Sequence, residues 1–339
     1  MRGREPLDSS DRRESRARHP YRAALLALGS LLFVYVFVRL GAAEIASLVL
    51  GIGWYFIPIV AAYFGHQFVR ALAYSMCVAG KESCSYWDMV RIKLSGEALQ
   101  FLTSTGPFLA EPAKVWLLRQ QGLSAKNAVA ATVVEYLIYM FTSAALAIGG
   151  LTYLLRNFAV SGPTAAAANV ILWTMAIFLV VAAFAILSRV YLIGAIIKGA
   201  GSLPWIGKRI RIGAQDLRDT EDLLFAVLRD RPLRFLSIVA IECGAQALLI
   251  LELYLLLRAT TPEFPALYPA LIESATKFIG LTFFFIPGQV GASESAYAII
   301  FETVGLPASA GFALAIARRL RSLLVAGVGL AFAPRWGNP

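Results

Sequence analysis

The chain has 339 residues, of which 58% are apolar or aromatic and only 15% are charged, and its mean hydropathy is +0.68. Soluble proteins average about 25% charged residues, so this composition excludes a disordered chain, a disulfide-rich secreted module and an ordinary cytosolic enzyme. The net charge of +10 is not gathered in a polar domain with interleaved aromatics, which argues against nucleic acid as a partner and for basic cytoplasmic loops of a membrane protein.

The first membrane half is predicted over residues 22–188, after a disordered basic tail at 1–21. A signal peptide is the alternative for the first apolar run, but no clear small-x-small cleavage site precedes another polar domain, which favours an uncleaved helix. The second run is longer than one span needs and is expected to continue as a helix beyond the membrane. The predicted spans of this half are residues 21–40, 45–79, 127–155 and 165–187.

Residues 189–232 form a predicted basic cytoplasmic loop. Within it, residues 212–228 repeat apolar side chains at helical spacing, which predicts an amphipathic helix on the membrane surface. The second membrane half follows at 233–339, with spans predicted at 233–257 and 308–333. The predicted fold class is therefore an all-α polytopic membrane protein with about six full spans.

The orientation follows from the Lys and Arg content of the short loops. The tail carries seven arginines up to Arg22 and residues 189–234 carry nine basic side chains, whereas the candidate outer loops around Arg39, Arg156 and Arg258 carry one each. Both basic segments are expected in the cytoplasm, near anionic lipid head groups, and the four spans between them satisfy that requirement. We therefore expect a cytoplasmic N-terminus.

Two further segments, near residues 87–121 and 267–305, carry several charged residues around apolar pieces that are each about half the length needed to cross the membrane. Segments of this kind are typical of re-entrant broken-helix hairpins that line a cavity in transporters. The alternative is a pair of kinked interfacial helices packed on the bundle. The residues predicted to break the two hairpins are Gly106 and Pro107 in the first, and Pro287, Gly288 and Gly291 in the second.

The two hairpins match in spacing, which indicates an internal repeat. In each copy a glutamate precedes a glycine by eleven residues, and a charged residue follows that glycine by thirteen. The helix after the first hairpin begins at the cytoplasm and the helix after the second begins outside, so the copies would form an inverted-topology repeat. Several matched positions carry opposite charge. The matched pairs are Lys93 and Glu273, Glu97 and Lys277, Glu111 and Glu294, Gly122 and Gly305, and Glu135 and Arg318.

Charged residues inside predicted spans each cost about 2.5–3.5 kcal/mol on membrane insertion, which makes them candidate functional residues. Glu135 lies well inside one span; Arg318 and Arg321 share one face of the last span, whereas Arg319 points elsewhere. The favoured hypothesis is a polar cavity that binds a charged head group. The alternative is an internal Glu135–Arg318 pair that only stabilises packing.

The hairpin glutamates have two interpretations as well. Glu111 precedes Pro112, a residue favoured in the first helical turn, and Glu294 follows Ser293, a good N-cap. Each carboxylate is therefore either a helix cap stabilised by the dipole or a cavity group for a cation, a proton or an amine.

Lys114 is a further candidate for the head-group cavity, and four other hairpin residues are weaker candidates for it. Lys114 is a candidate partner of Glu111 or of a lipid phosphate, which the hydroxyls of Thr103 and Ser104 would help to hold. Glu97 and Lys277 complete the set, although a lysine at a hairpin rim often only reaches water.

We predict no catalytic centre, no metal and no cofactor. The two histidines are far apart in the sequence, and Cys77, Cys84 and Cys243 form no recognisable ligand set. The chain also lacks a P-loop and a nucleophile elbow. An enzyme is therefore the less favoured class.

The hairpin residues resemble the signatures of a known family. The first signature is Gly96-Glu97-Ala98, Pro107, Glu111-Pro112-x-Lys114-x-Trp116-Leu117-Leu118 and Val134-Glu135. The second is Ile286-Pro287-Gly288-x-x-Gly291-x-x-Glu294, then Gly305, then Arg318 eleven residues before Gly329. Together they resemble the lipid flippase-like transmembrane region of lysylphosphatidylglycerol synthases and of their stand-alone relatives, over residues 23–333.

The resemblance implies movement of a lipid across the bacterial cytoplasmic (inner) membrane, with a membrane lipid as cargo and lipid-biosynthesis enzymes as partners. Bifunctional members carry a soluble aminoacyl-transfer domain after the membrane part, which this sequence lacks, so we expect no synthesis of lysyl-lipid. The cargo alternatives are a phospholipid, an aminoacylated lipid, a hopanoid or a polyprenyl-linked lipid; the Glu111-Pro112-x-Lys114 run is similar to that of hopanoid-associated relatives. The alternative functions are an enzyme or accessory subunit of lipid-linked glycan or lipid metabolism, and a non-transporting scaffold.

Overall fold

The computed structural model describes residues 42–80, 82–102, 107–160, 162–188, 214–261, 263–282 and 291–332. Every regular element in these ranges is a helix, which confirms the predicted all-α class. A 3₁₀ turn at Gly53–Tyr55 joins the first two helices. The α-helices are α1 (Ala42–Ile52), α2 (Phe56–Cys77), α3 (Tyr86–Leu102), α4 (Pro107–Gln120), α5 (Ala125–Asn157), α6 (Gly162–Leu187), α7 (Ala214–Leu228), α8 (Pro232–Thr260), α9 (Tyr268–Thr282), α10 (Ala292–Thr303) and α11 (Ala308–Phe332).

Four of the described helices are long and apolar enough to cross a membrane, which confirms a multi-pass helical membrane protein. They cover residues 53–77, 125–157, 165–186 and 232–260. Helix α11 has 25 residues, a sufficient length, but it carries Arg318, Arg319 and Arg321. The predicted tail at 1–21, the predicted span at 21–40 and most of the basic loop lie outside the described residues.

The long apolar run at 45–79 is not one continuous helix. Gly53 has a φ of +45°, in the left-handed region that an α-helix does not use, and the chain passes there from α1 through the 3₁₀ turn into α2. Pro58 then lies in the first turn of α2, where its missing N–H breaks no helical hydrogen bond. The run is therefore two helices joined by a 3₁₀ turn, and its extension beyond the membrane stays a prediction.

The two predicted hairpins consist of short helices, α3 with α4 and α9 with α10. At 1.5 Å per residue these helices are about 18–26 Å long, shorter than the ~30 Å hydrocarbon core. Pro107 begins α4, and Gly291, with a φ of +80°, immediately precedes α10, so both act as helix boundaries as predicted. The other predicted breaks, Gly106, Pro287 and Gly288, lie outside the described residues.

Helices α2 and α8 pack antiparallel against each other at the centre of the bundle. The Arg234 guanidinium donates to the carbonyl oxygens of Met76 and Val78, at 2.7 Å each. Further along, His66 Nδ1 donates to the carbonyl oxygen of Ala245 at 2.9 Å. Around this pair the first helix of each hairpin packs on the helix that follows the other hairpin, α3 on α11 and α9 on α5.

Small residues allow those two crossings. A Cβ on Gly329 of α11 would overlap the carbonyl oxygen of Leu94 in α3, and a Cβ on Gly150 of α5 would overlap Ser274 in α9. The Gly329 contact is with backbone, which a rotamer change cannot relieve. The lack of a Cβ at Gly329 therefore allows α3 and α11 to approach each other closely.

We expect Gly329→Ala to destabilise the detergent-solubilised protein by about 1–3 kcal/mol, the usual cost of overpacking a core. Gly327→Ala is the matched control in the same helix, since a Cβ there meets nothing within 4 Å. Thermal unfolding of both variants measures the difference. Equal stabilities would mean that the α3–α11 crossing is looser than the structure describes.

The predicted amphipathic helix at 212–228 is present as α7, but its apolar face contacts protein. Leu224, Phe225 and Leu228 are buried and pack in the cluster that includes α5, and Lys126 of α5 pairs with Asp219 at 2.6 Å. Helix α6, by contrast, packs on α5 and leaves large apolar side chains exposed, as a lipid-facing helix does. Its exposed residues include Val170, Trp173, Ile177, Val180 and Phe184.

The loop between α2 and α3 is tied to the beginning of α5. Asn127 bonds both the N–H and the carbonyl of Ala79, and the Ser124 side chain caps α5 by accepting from the Asn127 N–H. The Ser124 N–H donates to Glu82 at 2.9 Å, which lowers the pKa of that carboxyl. These contacts tie the N-terminal end of α5 to the segment that follows α2.

Candidate functional site: two buried charge clusters

Glu135 is the centre of the first group of buried charges. Its side chain, on α5, is fully buried and accepts from Arg70 Nη2 of α2 at 2.5 Å and from Lys93 Nζ of α3. Lys114 Nζ of α4 lies 3.6 Å from its second oxygen. Three helices thus each bring one cation to a single carboxylate. We call this group the N-terminal cluster: Arg70, Lys93, Glu111, Lys114, Glu135 and Glu242.

Lys114 reaches this cluster because Gly96 leaves room for it. A Cβ on Gly96 of α3 would lie 2.9 Å from the Lys114 Cγ and Cδ, so the lysine stem occupies that space. Lys114 also pairs with Glu111 at 2.7 Å, and the Glu111 side chain is 20% exposed. Glu111 is therefore the point at which the N-terminal cluster meets the outside of the protein.

A second group of charges surrounds Arg318 on α11. The Arg318 guanidinium donates to Glu273 of α9 at 2.6 Å and to the Tyr297 hydroxyl at 2.6 Å, and it lies 3.5 Å from Glu252 of α8. Arg321, on the same face of α11, donates to Glu252 at 2.5 Å. We call this group the C-terminal cluster: Tyr63, Glu97, Glu252, Glu273, Lys277, Tyr297, Arg318 and Arg321.

Two elements connect the clusters through the centre of the bundle. Helix α2 carries Arg70 of the first cluster and, two turns earlier, Tyr63 of the second, whose ring lies 3.5 Å below the Arg321 guanidinium. Helix α3 carries Lys93 and, one turn later, Glu97, which accepts from the Tyr63 hydroxyl at 2.5 Å. One or two helical turns are about 6–11 Å. The polar side chains on α2 and on α3 are spaced by this distance and connect the two clusters across the apolar core.

The sequence positions that match between the hairpins make equivalent contacts with exchanged charges. Lys93 bonds Glu135 in the N-terminal cluster, and their counterparts Glu273 and Arg318 bond each other in the C-terminal cluster. Glu135 and Arg318 each pair as well with a charge on the helix that precedes the hairpin of their own half. Glu135 pairs with Arg70 of α2, and Arg318 pairs with Glu252 of α8. The same arrangement of three groups therefore occurs twice, with every sign reversed.

The proposed internal pair between Glu135 and Arg318 is wrong. The two residues belong to different clusters, and each is neutralised by side chains from helices of its own half. Helical spacing identifies the face on which a charge lies, but the partner on that face belongs to another helix. The prediction that Arg318 and Arg321 share a face is confirmed, since both contact Glu252.

The two hairpin glutamates differ in role. Helix α4 begins at Pro107, so Pro112 lies inside it and Glu111 is beyond the first turn; the capping interpretation of Glu111 is wrong. Glu294 does cap its helix, although the N-cap residue is Gly291 rather than Ser293. Its Oε2 accepts from the Gly291 N–H and the Ser293 hydroxyl at 2.8 Å each.

Arg319 holds the other oxygen of Glu294, at 2.6 Å, so the prediction that Arg319 points away from Arg318 and Arg321 is confirmed. Lys277, a weaker candidate, pairs with Glu273 at 2.8 Å inside the C-terminal cluster. Thr103 and Ser104 lie outside the described residues, so their predicted role in holding a phosphate stays a prediction.

Sequence reasoning missed several members of the clusters, above all Arg70, Glu242 and Glu252. Each is a charged residue inside an apolar run, the same signal that identified Glu135 and Arg318. Tyr63 and Tyr297 gave no such signal, because aromatic residues are common in spans. Of the two missed acids on α8, Glu242 lies beside Arg70 of α2, whereas Glu252 pairs with Arg318 and Arg321 of α11.

Comparison with known proteins identifies a family. The model of the family described as "Lysylphosphatidylglycerol synthase TM region" matches residues 22–329. No curated protein matches the chain, and no solved structure does. The match covers all residues of both charge clusters.

Proposed function

Because the chain belongs to the lysylphosphatidylglycerol synthase transmembrane-region family, we propose that it moves a lipid with a charged head group across the membrane. The observation that carries this proposal is the pair of buried charge clusters at the contacts between hairpin helices and spans. Buried charges weaken a bundle unless they are fully paired, and a purely structural core is cheaper to build from apolar residues. Charges retained in a membrane bundle are typical of a path for a charged ligand.

The contacts support an inverted repeat as the framework for this movement. The exchanged charge pairs occur in two related copies, as do the crossings of α3 on α11 and of α9 on α5, and α2 packs antiparallel against its counterpart α8. In our proposal a pseudo-twofold axis in the membrane plane passes between α2 and α8. The two hairpins are re-entrant and approach the midplane from opposite faces, as in other inverted-repeat transporters.

The mechanism we propose is an exchange of partners. A lipid phosphate enters at the partly exposed Glu111 and replaces it as the partner of Lys114, while an amine, where the head group has one, takes a carboxylate. The lipid tail stays in the bilayer. Rocking of one half against the other then exposes the clusters to each leaflet in turn, and at each stage the head group replaces the charge that has left, so no buried ion stays unpaired.

Glu111→Gln tests the proposal, and we expect it to reduce lipid movement about tenfold or more. A hydrogen bond to a charged group is worth ~1.5–3 kcal/mol, and tenfold in rate corresponds to about 1.4 kcal/mol. The assay uses vesicles of phosphatidylcholine with a trace of fluorescent phosphatidylglycerol, and an impermeant quencher that reports only the outer leaflet.

Glu302→Gln is the matched control, since Glu302 is an exposed acid on the second helix of the other hairpin. We expect this variant to move lipid at the wild-type rate. Wild-type protein that moves no lipid would overturn the proposal and favour a scaffold. Lipid movement at the wild-type rate by Glu111→Gln would show that Glu111 does not take part in head-group entry.

A further inference from the structure

Glu242 is the least satisfied charged side chain of the N-terminal cluster. It lies on α8 at the centre of the bundle and is fully buried. Neither of its carboxylate oxygens has a hydrogen-bond partner among the described residues. Its nearest cation is Arg70, whose Nε lies 3.5 Å from Oε2. A buried carboxylate that accepts no hydrogen bond and has its nearest cation 3.5 Å away is costly, and taking up a proton removes that cost.

The neighbouring groups explain why Glu242, rather than Glu135, is the acid that takes the proton. Arg70 gives its closer contact, 2.5 Å, to Glu135, which also holds Lys93 and lies near Lys114. Glu135 is thus stabilised as an anion by three cations. Glu242 is left with the longer contact to Arg70, at 3.5 Å, and with an interaction with Lys93 beyond salt-bridge distance.

The other titratable groups near Glu242 are few. Helix α2 brings Cys77 besides Arg70, α3 brings Lys93 and α5 brings Glu135, and all of them interact electrostatically with Glu242. Helix α7 contributes apolar side chains to this end of α8. The charged residues of α9 and α11 surround Glu252, ten residues or about 15 Å further along α8.

Protonation of Glu242 changes the net charge of the cluster. With Glu242 ionised, the cations Arg70, Lys93 and Lys114 are balanced by Glu111, Glu135 and Glu242. With Glu242 neutral, one positive charge is in excess in a low-dielectric site, which favours binding of an anion. An anionic head group and a proton therefore bind together, each raising the affinity for the other.

We propose that Glu242 is a proton-binding site and that one proton accompanies each anionic head group through the bundle. The coupling rests on the proposed function; the proton site does not. The step is a simple protonation, in which the Glu242 carboxylate takes a proton from water on one side and returns it to water on the other. One proton with one anionic head group carries no net charge, which lowers the electrostatic cost of crossing.

Infrared titration of the full-length protein in phosphatidylcholine vesicles tests the proton site. We expect a carboxylic-acid carbonyl band that follows pH in the wild type, is absent in Glu242→Gln and is retained in the exposed-acid control Glu302→Gln. The same band in Glu242→Gln would overturn the proposal.

Should Glu242→Gln fail to fold, the wild type alone gives a second test. Addition of dihexanoyl phosphatidylglycerol to weakly buffered protein is expected to cause proton uptake, reported by a pH dye. Dihexanoyl phosphatidylcholine, which has no net charge, is the control and is expected to cause less. The absence of uptake with phosphatidylglycerol would overturn the proposal.

Coupling is tested by imposing a pH gradient on vesicles that contain fluorescent phosphatidylglycerol. One pH unit is worth 1.36 kcal/mol per proton, so we expect up to about tenfold accumulation of the lipid in the leaflet facing the alkaline side. Glu242→Gln is expected to show no accumulation. Wild-type lipid movement that does not depend on the gradient would overturn the coupling. Complete absence of lipid movement together with an intact infrared band would overturn the proposed function and leave the proton site in place.

Discussion

Replacing Glu135 with glutamine is expected to cost the protein about 3–5 kcal/mol of folding free energy, because the change leaves buried cations without their anion. Arg70, Lys93 and Lys114 all face this one carboxylate, and the first two are hydrogen-bonded to it. Denaturant unfolding in detergent measures the loss. Glu302→Gln, an exposed acid, is the control and is expected to change stability by less than about 0.5 kcal/mol.

Exchanging the two central charges extends this prediction. The double variant Glu135→Arg with Arg318→Glu places a wrong sign in both clusters, so we expect it to be no more stable than either single variant. If Glu135 and Arg318 were partners, the exchange would restore the pair. Recovery of wild-type stability would therefore contradict the two-cluster assignment.

Arg318 and Glu273 are expected to be strongly coupled. Arg318→Gln leaves buried acids underneutralised, and Glu273→Gln leaves a buried guanidinium with fewer acceptors. The double variant removes both partners, so its loss of stability should be smaller than the sum of the single losses by about 1–3 kcal/mol. A double-mutant cycle of unfolding free energies measures this coupling.

The matched cycle pairs Arg318→Gln with Glu135→Gln. These residues share no partner, so their effects should add to within about 0.5 kcal/mol. Additive behaviour of Arg318 with Glu273, or strong coupling of Arg318 with Glu135, would show that the charges are paired differently from the structure.

Different residues of the two clusters are suited to testing stability and to testing the proposed transport. Glu135 and Arg318 are held by several partners each, so variants at these positions first affect folding. Glu111 is partly exposed, and Glu242 is buried with its nearest cation, Arg70, 3.5 Å away. Variants at the latter two positions are the better probes of the proposed lipid movement and of its proposed coupling to protons.

The sequence by itself determined the class of the protein and most of its helices. The run predicted at 127–155 is helix Ala125–Asn157, and the amphipathic segment at 212–228 is helix Ala214–Leu228. These elements are local: an apolar run of sufficient length must satisfy its own backbone hydrogen bonds in lipid, and only a helix does so within one segment. The cost of a charge in such a run is equally local, which is why Glu135 and Arg318 were identified.

Only the tertiary structure decided which charges meet. Helical periodicity gives the face of Glu135 but not the helices packed on that face, and those proved to be α2, α3 and α4 rather than α11. The beginning of α4 at Pro107 places Glu111 beyond the first turn, which excludes the capping role and leaves the pair with Lys114 that the sequence had already offered. Pairing of buried charges depends on distances between segments far apart in the chain, because each ion takes the partners that the packing of helices brings within a few ångströms.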